Sequence, residues 1–99
     1  MEVVRYRIDP AQRRAFLATM QEVRRVRLRS GAGNWSLYED VAHPERWVEL
    51  WTVDSWTEHL REESRLTESD HAALARAAAL HRGEAGAPPE ASRFLNVHP

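Results

Sequence analysis

The chain has no cysteine and no lysine among its 99 residues. The first absence excludes disulfides, thiol nucleophiles and thiolate metal sites, and it is neutral on compartment. The second makes all 14 basic residues arginine. That reads most simply as a GC-rich coding bias, with specialised anion binding as the sharper alternative. No apolar run approaches the roughly 20 residues that span a bilayer. The N-terminal MEVVRYRIDP lacks the apolar core of a signal peptide. No repeat, low-complexity segment or linker interrupts the sequence, and a net charge of −1 gives no global field toward nucleic acid or acidic membranes. The expectation is one domain over residues 1–99, cytoplasmic, or the soluble part of a larger protein.

What is present is concentrated between Tyr38 and Leu60, which read YEDVAHPERWVELWTVDSWTEHL and hold three of the four tryptophans. The composition, 42% hydrophobic and 29% charged, is globular. A chain this long buries roughly 60–70% of its unfolded surface, enough for one modest core.

Val3 to Ile8 is β-branched and aromatic and predicts a first strand, with Val4, Tyr6 and Ile8 on one face. Asp9-Pro10 supplies an N-cap and a first-turn proline. Phe16, Met20 and Val23 then recur at helical spacing up to Ser30-Gly31. A second strand spans Asn34 to Asp40 and a third Arg46 to Val53, joined as a hairpin. The third strand has apolar residues on both faces, so both faces need cover. Ser55-Trp56-Thr57-Glu58 is a capping box that opens a short helix. Thr67-x-x-Asp70 opens another helical piece, whose stripe reads His71, Leu74, Ala78 and His81. A last strand is expected over Ala91 to Val97. The order predicts an α+β, ferredoxin-like βαββαβ fold with an extra helical segment. Its bare sheet face would pair with a second copy as a dimeric α/β barrel. The face carrying Trp47, Glu49 and Trp51 is assigned to that barrel interior, with the face of Val48 and Leu50 as the alternative.

Arg46 to Leu60, with Glu49, Ser55-Trp56 and His59, resembles the dimeric α/β-barrel superfamily that includes antibiotic-biosynthesis-monooxygenase-type domains. The chain is more closely similar to the soluble C-terminal domain attached to some actinobacterial major-facilitator exporters. Tyr6-Arg7-x-Asp9-Pro10, Arg24-Arg25-Val26-Arg27 with Gly31, and Trp35-x-Leu37-Tyr38-x-Asp40 carry that likeness. So do Pro44, Val48-Glu49, Ser55-Trp56-x-Glu58-His59-Leu60-Arg61, Arg65-x-Thr67 and Asp70. The resemblance implies association with, or tethering to, a membrane exporter. It fixes fold better than function.

His59 and Glu49 are the candidate catalytic residues. Histidine titrates near neutrality and suits proton transfer; the plainer reading of His59 is a helix-start residue bonded to the sheet edge. A carboxylate between two indoles would be stripped of water, a setting that suits proton abstraction. Its plainer reading is an ion pair with Arg5 or Arg7. Trp51, Trp56, Tyr38 and Asn34 are candidates to line an aromatic ligand pocket, and tryptophans on such a sheet also serve as core or interface. Arg24, Arg25, Arg27 and Arg29 end the first helix and read as a solvated face suited to its dipole. The five histidines show no metal-ligand spacing. Haem-degrading relatives carry an asparagine on the first strand, and VVRYRI has none. No cofactor, metal or nucleic acid is expected.

Two functions follow. One is a dimeric module that binds a small hydrophobic or aromatic compound or only mediates dimerisation. The other is a cofactor-independent monooxygenase acting on an aromatic polyketide-like substrate.

Overall fold

The computed structural model describes residues 1–53 and 66–98. Its strands are β1 (Glu2–Arg7), β2 (Gly33–Glu39), β3 (Arg46–Thr52) and β4 (Glu90–Arg93). Its helices are α1 (Arg13–Arg29) and α2 (Glu68–Leu80). The strands lie in the order β2-β3-β1-β4, and every neighbouring pair is antiparallel. This is the α+β, ferredoxin-like arrangement. The helix expected to open at Ser55-Trp56-Thr57-Glu58 lies outside the described residues, and Trp56 and His59 lie outside them too.

Local chemistry sets the boundaries. The Asp9 carboxylate accepts the Ala11 N–H at 3.0 Å, and Pro10 starts the single 3-10 turn that leads into α1. At the other end Gly31 has φ of 90°, a left-handed conformation that glycine adopts without penalty. Thr67 and Asp70 form a reciprocal capping box at α2, each side chain accepting the other's backbone N–H at 3.1 Å. Arg29 on α1 also donates to Asp70. Asp70 is thereby pinned inward, and Ala73 and Ala77 follow it into the core. The expected stripe through His71, Leu74, Ala78 and His81 is therefore rotated: His71 and Ala78 are exposed, and Leu74 is half-buried.

Phe16, Met20 and Val23 of α1 meet Tyr6 and Ile8, together with Trp47 of β3 and Ala77 of α2. The Phe16 ring stands 5.2 Å from Tyr6 and 5.3 Å from Trp47, in edge and tilted geometries that aromatic quadrupoles favour. Fully burying Phe16 contributes about 1.5–3 kcal/mol of transfer free energy.

The register decides which face is which. Tyr6 opposes Trp47, Val4 opposes Glu49 and Glu2 opposes Trp51. Side chains alternate along a strand, so Trp47, Glu49 and Trp51 share the face of Tyr6, toward the helices. Their assignment to a barrel interior is inverted. The indoles find their cover within the chain, Trp47 against Phe16 and Trp51 beneath Arg27. Val48, Leu50 and Tyr38 occupy the opposite face with Arg5, Arg7 and Arg46.

The last strand is shorter than expected. It ends at Arg93, and only one further exchange follows: Phe94 N–H to Met1 O at 2.8 Å and the Met1 amine to Phe94 O at 2.6 Å. Leu95 and Val97 are exposed.

Candidate functional site

Glu49 is the centre of the helix-facing side. Its side chain is fully buried, a costly position for a carboxylate unless hydrogen bonds replace its water. Three residues supply them. The Tyr6 hydroxyl donates to Oε1 at 2.9 Å. Trp35 Nε1 donates to Oε2 at 2.9 Å. Arg27 reaches down from α1, with Nε donating to Oε2 at 3.0 Å and a longer contact to Oε1 at 3.5 Å. The ion-pair partner is therefore Arg27 and not Arg5 or Arg7. Those two lie on β1 at the opposite parity from Val4, the residue that faces Glu49 in the register.

The same guanidinium lies 4.2 Å above the Trp51 ring, a cation–π contact. Trp51 thus fixes Arg27 from below while Glu49 fixes it from the side. The Tyr6 hydroxyl holds its proton far more tightly than the usual 10.0, first because it is buried and then because the Glu49 carboxylate sits beside it. It remains a donor at any working pH. Arg27, expected on a solvated face, is turned inward to Glu49, whereas Arg29 stays exposed as expected and reaches Asp70 from the surface. The Asp70 carboxyl is held below its ordinary value, mainly by the Thr67 N–H and further by Arg29.

Next to this network a cavity of about 190 Å³ opens between sheet and helices. Val4, Val26, Trp51 and Leu74 supply apolar wall, and Arg27, Ser30 and the Glu2–Arg93 pair supply polar groups. Of the ligand-binding candidates read from sequence, Trp51 lines this cavity. Tyr38 stands on the other side of the sheet, 58% exposed. Asn34 is exposed in the β2 bulge, with φ of 50°, a left-handed position that asparagine tolerates better than most residues. The structure therefore brings Trp51 and Glu49 together and separates them from Tyr38 and Asn34. Sequence reading missed Tyr6, Arg27 and Trp35. The available signal was parity: Tyr6 and Trp35 alternate onto the face that Phe16 covers.

A major-facilitator family model, described as transmembrane secretion effector, matches residues 1–98. The chain belongs to the transmembrane secretion effector family. Among the described residues no helix is long and apolar enough to cross a membrane. No protein of curated function matches in sequence. The fold is shared with solved structures. An antibiotic biosynthesis monooxygenase superposes with a TM-score of 0.76 at 14% identity, over 98% of this chain and 97% of the other. Rv0793 from Mycobacterium tuberculosis gives 0.73 at 15% identity, over 99% and 94%. A conserved protein from Methanosarcina mazei gives 0.74 at 12% identity, over 92% and 85%. At these identities the likeness is one of fold. It agrees with the monooxygenase-type resemblance in the sequence, as the family match agrees with the exporter-domain resemblance.

Proposed function

We propose that this chain is a homodimeric binding module that holds a small hydrophobic or aromatic compound in the cavity beside Trp51. The observation that carries the reading is a cavity with a wall of Val4, Val26, Trp51 and Leu74 lying next to a carboxylate that is already occupied. A carboxylate has about four lone-pair sites, and Tyr6, Trp35 and Arg27 direct four contacts at Glu49. To take a proton from a substrate Glu49 would have to release these donors. It serves instead to hold Arg27 and Trp35 in place. The cavity volume is of the order that accepts one aromatic ring. Dimerisation would cover Val48, Leu50 and Tyr38 on the opposite face.

Calorimetric titration with toluene and p-cresol tests the ligand reading. The wild-type chain is expected to bind at least one of them. Leu74→Phe, which fills the cavity, is expected to weaken that binding at least tenfold with an unchanged circular dichroism spectrum. Equal affinity in the variant, or no binding of either compound, contradicts it.

The second reading is a cofactor-independent oxygenase, supported by the description of one fold neighbour as an antibiotic biosynthesis monooxygenase and by Trp51 in the cavity wall. In it His59, or Glu49 once released from its donors, takes a proton from the methylene carbon of an anthrone; the carbanion adds O2 to give a hydroperoxide, which loses water to leave the quinone. Oxygen uptake above the spontaneous rate that falls in His59→Ala would favour this reading over a module that binds and converts nothing.

A further inference from the structure

We infer that a second binding site, for a small organic anion with an apolar body, lies on the opposite face of the sheet. It sits where the ends of β1 and β3 meet the loop between α2 and β4. The starting point is a conflict within the sheet. Arg7 and Arg46 are direct cross-strand partners. The Ile8 N–H donates to Glu45 O at 2.7 Å, which makes Arg7 and Arg46 a non-hydrogen-bonded pair. Side chains come closest in pairs of that kind, and like charges so placed destabilise a sheet. Neither guanidinium has a carboxylate partner among the described residues.

The neighbouring acids do not resolve the conflict. Asp40 is next to Arg46 through its backbone, N–H to O at 2.9 Å. Its Oδ1, however, accepts the N–H groups of Ala42 and His43, at 2.9 and 3.2 Å. Glu90 stands 4.0 Å from Arg5. Glu84 lies on the rim.

A groove of about 750 Å³ opens over this pair, within the range of small-molecule sites. Arg5, which also reaches Ser92 Oγ at 3.4 Å, adds a third guanidinium, and Pro88 and Pro89 give apolar wall. His81 contributes a neutral donor. Its Nδ1 accepts the Arg7 N–H at 2.9 Å, so the ring proton of the neutral form is assigned to Nε2, on the Gly83 side of the groove. Glycine is required there: a Cβ at position 83 would meet Ala87 O at 2.1 Å and His81 Nε2 at 3.0 Å. Guanidinium forks match carboxylates and phosphates in bidentate fashion. An anion bound between Arg7 and Arg46 would cancel the repulsion that the fold leaves standing. This site does not depend on the cavity beside Trp51.

The test uses 8-anilinonaphthalene-1-sulfonate as the anionic probe and N-phenyl-1-naphthylamine as its uncharged counterpart, followed by fluorescence. The sulfonate is expected to bind at least tenfold more tightly than the neutral compound. The double variant Arg7→Gln/Arg46→Gln is expected to lose at least tenfold in sulfonate affinity while its melting temperature stays level or rises. Displacement by benzoate marks a carboxylate site and displacement by phenyl phosphate a phosphate site; either result supports the proposal. Equal binding of the two probes overturns it, as does unchanged sulfonate affinity in the double variant. So does loss of sulfonate binding in Leu74→Phe, which places the probe in the other cavity. Loss in Leu50→Asp equal to that of the double variant also overturns it, since the probe then reads a contact between copies.

Discussion

Glu49 and Arg46 are three residues apart on one strand and live under opposite conditions. Glu49 faces the helices, is fully buried, and has its oxygens held by Tyr6, Trp35 and Arg27. Arg46 faces the other way, is exposed, and stands beside Arg7, neither with a carboxylate partner among the described residues. Burial forces a charge to be matched within the fold, because an unmatched one would cost more than the domain's stability allows. Exposure lets a mismatch persist. The helix-facing side therefore uses its charges for structure, and the opposite face leaves charges exposed beside partly exposed apolar side chains.

The largest effect should come from breaking the matched side. Glu49→Ala strands Arg27 and is expected to cost about 3–5 kcal/mol, measured by urea denaturation. The double variant Arg27→Met/Glu49→Leu should recover part of that loss. A cost below 1 kcal/mol for Glu49→Ala would mean that the network is not holding the two layers together. Next in size is the α1–α2 contact. Ala77 is 1% exposed, and Ala77→Leu is expected to cost about 1–3 kcal/mol through overpacking. On the opposite face the same assay should barely respond. Leu50→Asp is expected to change the stability of the single chain by less than about 1 kcal/mol while abolishing self-association in sedimentation velocity.

The smallest effect is the dependence on pH. Burial, and then the nearby Arg7 charge, hold His81 below its ordinary 6.5. The unfolded chain therefore takes up that proton first. The stability His81 contributes is intact above pH 6.5 and is lost as pH falls from there through the folded-state value. Urea midpoints measured from pH 7.5 to 5.5 should fall for the wild-type chain. They should fall less for His81→Asn, which keeps an acceptor for the Arg7 N–H without titrating in that window. Asp70, held low, loses its contribution only below about pH 4.

Strand and helix order were legible because alternation in Val3 to Ile8 and helical spacing in Phe16, Met20 and Val23 are strong local signals. The direction of the third strand was not. Trp47, Glu49 and Trp51 on one side and Val48 and Leu50 on the other both look buriable, and only the pairing with β1 decides between them. Glu49 stood out as a buried acid. Its partners did not, since Arg27 is 22 positions away and reaches it only once α1 lies across the sheet. The α2 stripe was misplaced by one position because its tie to Arg29 is a tertiary contact that local periodicity does not contain. Tyr38 and Asn34 looked like pocket residues on chemistry alone; parity and a bulge put them elsewhere.

The claim that the two faces have different roles is tested most directly by light scattering on the purified chain at micromolar concentration, wild type beside Leu50→Asp. The mass of two chains is expected for the wild type and that of one chain for a folded Leu50→Asp. A wild-type chain that scatters as a single copy would contradict it, because the face bearing Val48, Leu50 and Tyr38 would then stand uncovered in solution.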